Sequence, residues 1–371
     1  MLREFKVKNY KSFKDEILID FTKFKDYKYN SYVIQNDLIN TAIIYGKNSS
    51  GKTNLGLALF DITTHLIDRE TIPLQLSYYL NADSDESHST FNYKIAIDNN
   101  LIQYSYRKAQ ANKLLYEEFY MNNEKVFSYN FETHKGDFHN LKAIDAQLLN
   151  FEFTDEKLNI SMVRYIANNA NLSRSSIIKK FMDFVSHMLW FRSVESNSYI
   201  GYLKGGEAIT TNIIKNGMVS SFNKFLNEVG IKSDLQVVKD ALGNEIIANK
   251  FTNKLLPFWE TASSGTHALT LFFYWSQKFM DVSFLFIDEF DAFYHTELSE
   301  YILKLISHRK GFQTVFTTHN TALMTNSILR PDCYFILSNN SLKPLTDCTE
   351  RELREGHNLE KMYRNGEFID T

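Results

Sequence analysis

The sequence predicts an α/β fold: a mixed sheet with helices, supplied by both ends of the chain and interrupted by an inserted middle. Three observations carry that expectation. The apolar, β-branched run Thr41-Ala42-Ile43-Ile44-Tyr45 passes through a glycine-bearing loop directly into the helical spacing of Leu55, Leu59, Ile62 and Leu66. From residue 263 onward helix and strand patterns alternate, which builds a mostly parallel sheet. Between these two stretches, residues 72–135 read as an antiparallel meander.

Taken in order, Phe5 and Val7 alternate with charges and Ile17-Leu18-Ile19 is a short apolar run, so the chain opens with strands. The fully apolar centre of Thr41–Tyr45 is the pattern of a central strand covered on both faces, and one helix is predicted over 54–67. After the polar loop Asn81–Ser87 come strand patterns at Phe91–Ile97, Ile102–Tyr106 and Glu117–Met121, parted by Asp98-Asn99-Asn100 and Asn122-Asn123 turns. Residues 136–172 carry little periodic signal. Amphipathic helices are predicted over 173–190 (Ile177, Phe181, Phe184, Met188) and 213–229 (Phe222, Leu226, Val229). A hairpin follows, Leu235–Val238 with Glu245–Ile247. The remainder reads as a helix at 265–279, a strand at Ser283–Ile287, a helix at Thr296–Ser307, and strands at Thr314–Thr317 and Cys333–Leu337. The expected division is therefore 1–135 with the glycine loop and an antiparallel β-subdomain, 136–255 as a mainly helical insert or lid with a hairpin, and 256–371. No heptad run, internal repeat or low-complexity tract is evident.

Composition narrows the class. Of 371 residues, 44% are hydrophobic and 23% charged, enough for a sizeable core. The 14 Gly and 4 Pro fall well under the roughly 12% of average usage, which excludes collagen-like and Pro/Gly-rich disordered chains. Thirty Phe, 21 Tyr and 3 Trp also argue against disorder. Forty-one basic and 44 acidic residues leave a net charge of −3, so charge gives no argument for nucleic acid or membrane binding. Lys47, Arg174, Lys179 and Lys180 are scattered positives that read as solvated faces. Two cysteines, Cys333 and Cys348, are too few for a disulfide scaffold or a cysteine zinc site and fit a reducing cytoplasm. The first residues, Met1-Leu2-Arg3-Glu4-Phe5-Lys6, lack a signal-peptide core. The apolar stretch Ala268–Ile287 is interrupted by Ser276-Gln277-Lys278 and Asp281, so it reads as buried helix plus strand rather than a membrane span.

The chemistry-bearing segments come in a fixed order. Gly46-Lys47-Asn48-Ser49-Ser50-Gly51-Lys52-Thr53 fits G-x-x-x-x-G-K-[ST], between a strand and a helix. Its glycines admit backbone N–H groups to phosphate oxygens, and the following helix points its positive end at them. Lys52 is expected on the β/γ-phosphates and Thr53 on Mg²⁺. Phe284-Leu285-Phe286-Ile287-Asp288-Glu289 is an apolar strand ending in two carboxylates, the Walker B pattern: Asp288 holds Mg²⁺ and Glu289 orients or deprotonates the attacking water. Read alone, such a strand is a core strand with solvated end charges. Ala262-Ser263-Ser264-Gly265-Thr266 reads alone as a helix N-cap, and a lone His319 would ordinarily be structural.

That order resembles the ABC/SMC-like ATPases, the group of RecF, SMC and OLD proteins. Within it the chain is most similar to AAA-type ATPases of bacterial phage-defence and abortive-infection systems of the RloA/AbiL kind. The resemblance also rests on Phe5–Phe13 as the opening strand and turn, Asn54 after the loop threonine, Asp288-Glu289-Phe290-Asp291, Thr318-His319-Asn320, Arg330–Phe335 and Tyr363-Arg364-Asn365-Gly366. It covers the whole chain, most weakly at 130–255. It implies an ABC/SMC-type P-loop ATPase head, without a C-terminal nuclease domain because only about 50 residues follow His319. It further implies that ATP and Mg²⁺ are the ligands, with Gly46 to Asn54 cradling the nucleotide and Lys52, Glu289 and His319 acting in catalysis. Ser263, Ser264 and Gly265 would be the signature motif and Asp291 the D-loop, both serving a partner's ATP in a homodimer; assembly beyond a dimer stays open. Ser264 departs from the glycine of transporter ATPases. Gln75 is the convenient Q-loop candidate, and Tyr45 or the segment around Lys11 the candidates for adenine. The implied role is the ATPase component of an anti-phage system that senses infection or controls an effector encoded nearby. The alternative is a RecF/SMC-like DNA-repair clamp, with DNA binding left open. A transporter ATPase is disfavoured by the insert of over two hundred residues between Lys52 and Ser264.

Overall fold

The computed structural model describes residues 1–67, 76–153, 160–192, 198–200 and 209–368. In chain order the strands are β1 (Leu2–Lys8), β2 (Ile17–Asp20), the two-residue β3 (Ile34–Gln35) and β4 (Leu38–Ile39), β5 (Thr41–Tyr45), β6 (Ser89–Ile97), β7 (Asn100–Gln110), β8 (Lys113–Met121), β9 (Glu124–Asn130) and β10 (Lys135–Phe138). They continue with β11 (Met188–Arg192), β12 (Ser198–Ile200), β13 (Leu235–Lys239), β14 (Glu245–Lys250), β15 (Leu255–Pro257), β16 (Phe284–Asp288), β17 (Gln313–Thr318), β18 (Tyr334–Ser338) and β19 (Ser341–Pro344). The helices are α1 (Lys52–Phe60), α2 (Thr63–Leu66), α3 (Met162–Asn169), α4 (Ile177–Ser186), α5 (Ile209–Lys215), α6 (Val219–Glu228), α7 (Phe258–Thr261), α8 (Ser264–Ser276), α9 (Thr296–Ser307) and α10 (Leu359–Arg364).

Two seven-stranded sheets organise these elements. The first is antiparallel throughout, in the order β10-β9-β8-β7-β6-β1-β2. Its tight turns place Asp98, Asn122 and Asn123 at positive φ, the conformation Asn and Asp tolerate best. The second has the order β12-β11-β16-β17-β5-β18-β19. Its five inner strands run parallel, with antiparallel strands at both edges. Every residue of β5, β16 and β17 is buried, as strands covered on both faces should be.

Helix α1 lies between the sheets, which explains why it is apolar all round rather than amphipathic. Tyr93 of β6 donates its hydroxyl proton to the carbonyl of Ala58 at 3.0 Å, while Phe60 packs on Trp190 of β11 and Phe284 of β16. A second tie is Gln313, whose side chain bonds Leu2 N and Leu2 O at 2.7 and 2.8 Å and so links β1 to the central sheet.

Four expectations need correction. The helix expected over 54–67 is two pieces, α1 and α2, parted where the backbone tightens to i→i−3 bonds, Asp61 N to Ala58 O and Thr64 N to Asp61 O; the Asp61 side chain is held by other groups. Tyr79 Oη, Tyr106 Oη and Lys108 Nζ all donate to its carboxylate. The helix expected over 173–190 ends at Ser186, and Met188 begins β11, which pairs in parallel with β16. The segment 136–255 therefore gives two strands, β11 and β12, to the central sheet as well as helices. The helix expected over 213–229 is divided at Gly217 into α5 and α6. The hairpin of β13 and β14 gains a third strand, β15. No described helix is long and apolar enough to cross a membrane.

Candidate active site

Because β16, β17, β5 and β18 run parallel in register, their carboxyl ends share one edge, where α/β sheets place ligands. Tyr45 pairs with Thr318 on one side and Ile336 on the other. The loop beginning at Gly46 thus leaves the sheet between the chain at His319 and the β18–β19 turn. Gly51 has φ of +101°, and a Cβ there would lie 2.8 Å from Ser12 Oγ and 2.9 Å from the Phe13 ring. Only glycine suits both the left-handed backbone and that close approach. Ser12 Oγ in turn accepts from Asn54 Nδ2 at 2.8 Å, so the opening turn that the resemblance singled out braces the loop.

Lys52 is 4% exposed, and its ammonium donates to the carbonyls of Gly46 (2.8 Å) and Lys47 (3.1 Å). Burial lowers its pKa, opposed by the charges of Glu289, Asp288 and Asp291. Thr53 Oγ1 donates to Asp288 Oδ2 at 2.7 Å across 235 residues of sequence. The other carboxylate oxygen, Oδ1, accepts from Thr317 Oγ1 at 2.6 Å. Thr317 Oγ1 also accepts from the backbone N–H of Glu289 at 2.8 Å. Glu289 adopts φ of +45°, a conformation uncommon outside glycine that costs on the order of 1–3 kcal/mol and recurs at functional sites. That turn separates the two acids: Asp288 is buried, Glu289 half-buried.

These residues fit a phosphate chain with its magnesium. The Ser50 hydroxyl is buried without a partner, the loop's cradle leaves no room for a Cβ at Gly51, and Thr53 with Asp288 offers one hydroxyl and one carboxylate. Mg²⁺ commonly takes few protein ligands and completes its shell with water and phosphate. No cluster of three or more acidic, His or Cys side chains suited to a metal occurs among the described residues.

The remaining candidates separate. Lys47, Asn48 and Ser49 are exposed on the loop, and His319 is exposed just beyond the buried end of β17. Ser263 caps α8, accepting from Thr266 N at 3.2 Å, and with Ser264 it is exposed. Ser263 and Gly265 line a cavity of about 660 Å³ with Phe293 and Tyr301, whereas the loop lines another of about 310 Å³; the two share no residue. Asp291 follows the Walker B pair at the edge of the site. It is 9% exposed, leaves Oδ1 without a partner, and lies within electrostatic reach of its own chain's Lys52. Tyr45 is 1% exposed and cannot stack on a base. The Lys11 ammonium is engaged with the carbonyl of Ser77, and Gln75 lies outside the described residues. Sequence reading missed Thr317, whose only signal is a hydroxyl at the end of an apolar strand.

A mixed sheet carrying a strand–P-loop–helix and a facing Walker B carboxylate defines a P-loop nucleotide-binding fold. The family model described as "AAA domain, putative AbiEii toxin, Type IV TA system" matches residues 42–325, and the chain belongs to that family. No curated protein matches the sequence. Among solved structures, it is similar to the SMC head domain from Thermotoga maritima, with 15% identity over 92% of this chain and 98% of that one and a TM-score of 0.43. It is also similar to an Smc head bound to the C-winged helix domain of ScpA, with 14% identity over 92% and 97% and a TM-score of 0.48. RecF with ATP, a recombination mediator of the RecFOR pathway, matches at 16% identity over 93% and 99%, with a TM-score of 0.40.

Proposed function

We propose that this protein is a Mg²⁺-dependent ATPase that works as a nucleotide-gated homodimer, and that it is the ATPase component of a bacterial anti-phage system controlling a partner effector. The observation that carries the ATPase reading is the Thr53–Asp288–Thr317–Glu289 chain of hydrogen bonds. It fixes one carboxylate for a metal and turns its neighbour outward toward solvent. Bound Mg²⁺ would neutralise charge on the β- and γ-phosphate oxygens. Lys52 exchanges its loop carbonyls for phosphate oxygens, Glu289 accepts the proton of the attacking water, and His319 donates to the γ-phosphate. The cavity at Ser263 and Gly265 is separate from the loop cavity. That separation supports a signature motif serving the nucleotide of a second copy, in a two-fold arrangement. Asp291, as the D-loop residue, would serve that same partner nucleotide. The family description, which names a putative toxin of a toxin–antitoxin system, supports a place in such a defence-type system.

The test is ATP hydrolysis and solution mass for the wild type and Glu289→Gln, with and without ATP–Mg²⁺ and duplex DNA. The variant is expected to bind ATP, accumulate as dimers and lose turnover by at least about 10²-fold, the contribution of a positioned base. An unchanged hydrolysis rate would sink the assignment. Salt-sensitive DNA retention that appears only with ATP would favour a DNA clamp over effector control.

A further inference from the structure

We propose that Tyr363 is the platform on which the purine base of the nucleotide stacks; the inference rests on the ATPase reading above. The cavity of about 310 Å³ at the P-loop is walled on its far side by the β18–β19 turn and by Tyr363 of α10. That turn is fixed tightly to the loop: a Cβ on Gly46 would lie 2.9 Å from the carbonyl of Leu337. Asn339 and Asn340, at φ of +49° and +55°, form the two-residue connection between Ser338 and Ser341, the geometry of a tight hairpin. A ligand whose phosphates lie in the loop extends from there toward this wall, away from Asp288 and Glu289, because β18 flanks β5 on the side opposite β17 and β16.

Among the residues lining this cavity, Tyr363 carries the only aromatic ring. The ring is half-buried, and burial raises the pKa of its hydroxyl. Its backbone is anchored without it. Leu359 and Met362 are buried, Asn358 caps α10, and Glu360 accepts from Thr321 Oγ1 at 3.2 Å while pairing with Arg364 at 2.7 Å. Thr321 lies two residues beyond His319, so the same contacts tie the platform to the turn after β17. A partly buried ring lining the cavity of the phosphate cradle suits the flat, polarisable face of a purine.

The test is calorimetric titration of wild type, Tyr363→Ala, Tyr363→Phe and Lys52→Ala with ADP and with inorganic pyrophosphate, each with Mg²⁺. Removing a stacking ring weakens base binding by about 1–3 kcal/mol, a rise in Kd of roughly 5- to 150-fold. The expected result is that loss for ADP in Tyr363→Ala, unchanged pyrophosphate affinity, and near-wild-type ADP affinity in Tyr363→Phe. Unchanged ADP affinity in Tyr363→Ala, with Lys52→Ala defective, would overturn the base platform and leave the ATPase reading standing. Parallel loss of ADP and pyrophosphate in Tyr363→Ala would make the tyrosine structural and equally overturn it. A wild type that binds neither ligand would overturn both.

Discussion

Lys108→Met tests whether the nucleotide helix is tied to the antiparallel sheet through one buried charge pair. Lys108 and Asp61 are 0% and 2% exposed, and their charged atoms are 2.8 Å apart. At an effective dielectric of about 20, a pair at that distance attracts by about 6 kcal/mol. Desolvation costs several kcal/mol per ion, so the intact pair adds little net stability. Burial accordingly lowers the lysine's pKa, with Asp61 opposing. Methionine keeps the apolar stem but leaves Asp61 with only the hydroxyls of Tyr79 (2.9 Å) and Tyr106 (3.0 Å). Stranding the carboxylate in this way costs about 3–5 kcal/mol. Taking about 2.1 cal/mol/K of unfolding entropy per residue over 371 residues, a loss of about 4 kcal/mol lowers Tm by about 5 °C. The assay is thermal and urea unfolding of wild type, Lys108→Met, Asp61→Asn and the double variant. Both single variants are expected to fall by similar amounts, with the double recovering about 2–3 kcal/mol relative to additivity. Strict additivity, or a single variant within about 1 kcal/mol of wild type, would refute the idea that the pair acts as a unit.

Two further outcomes follow from the hydroxyl and tyrosine chemistry. Thr317→Val keeps the shape of β17 but leaves Asp288 Oδ1 and the Glu289 N–H without their shared partner. Hydrolysis is expected to drop about 10- to 150-fold, the worth of a hydrogen bond to a charged group, while ADP binding persists; equal turnover would remove Thr317 from the site. Tyr10, Tyr45, Tyr79, Tyr93, Tyr104 and Tyr106 are buried, and burial raises their pKa values well above 10. Below pH 10 their contribution is fully present. Above it the unfolded chain releases protons that the native state retains, so stability falls by up to about 8 kcal/mol per pH unit for six groups. Absorbance at 295 nm should then rise for these tyrosines only together with loss of circular dichroism, and early titration of all 21 tyrosines in a native-like protein would contradict it.

Local pattern determined a great deal. The P-loop is eight consecutive residues whose glycines and hydroxyls serve the same backbone cradle they spell out. The Walker B acids are legible because four apolar residues ending in two carboxylates, downstream of a P-loop, match a covered strand whose end meets solvent or a ligand. The meander was readable from alternation and from Asn and Asp turns, since both signals arise between residues close in sequence.

What only the tertiary structure decided depends on partners far apart in sequence. Met188 continues an amphipathic spacing, yet Met188–Arg192 is a strand that pairs with β16, nearly a hundred residues later. The first two strands join the meander rather than the parallel sheet through pairing with β6. Asp61 finds its buried partner in Lys108, 47 residues away. Thr317 carries no motif of its own, and the bonding of its hydroxyl to Asp288 and Glu289 is visible only in the fold. Periodicity and composition report a residue's neighbours along the chain, whereas a buried charge pair, a shared hydroxyl and a cavity wall are properties of the space that the folded chain encloses.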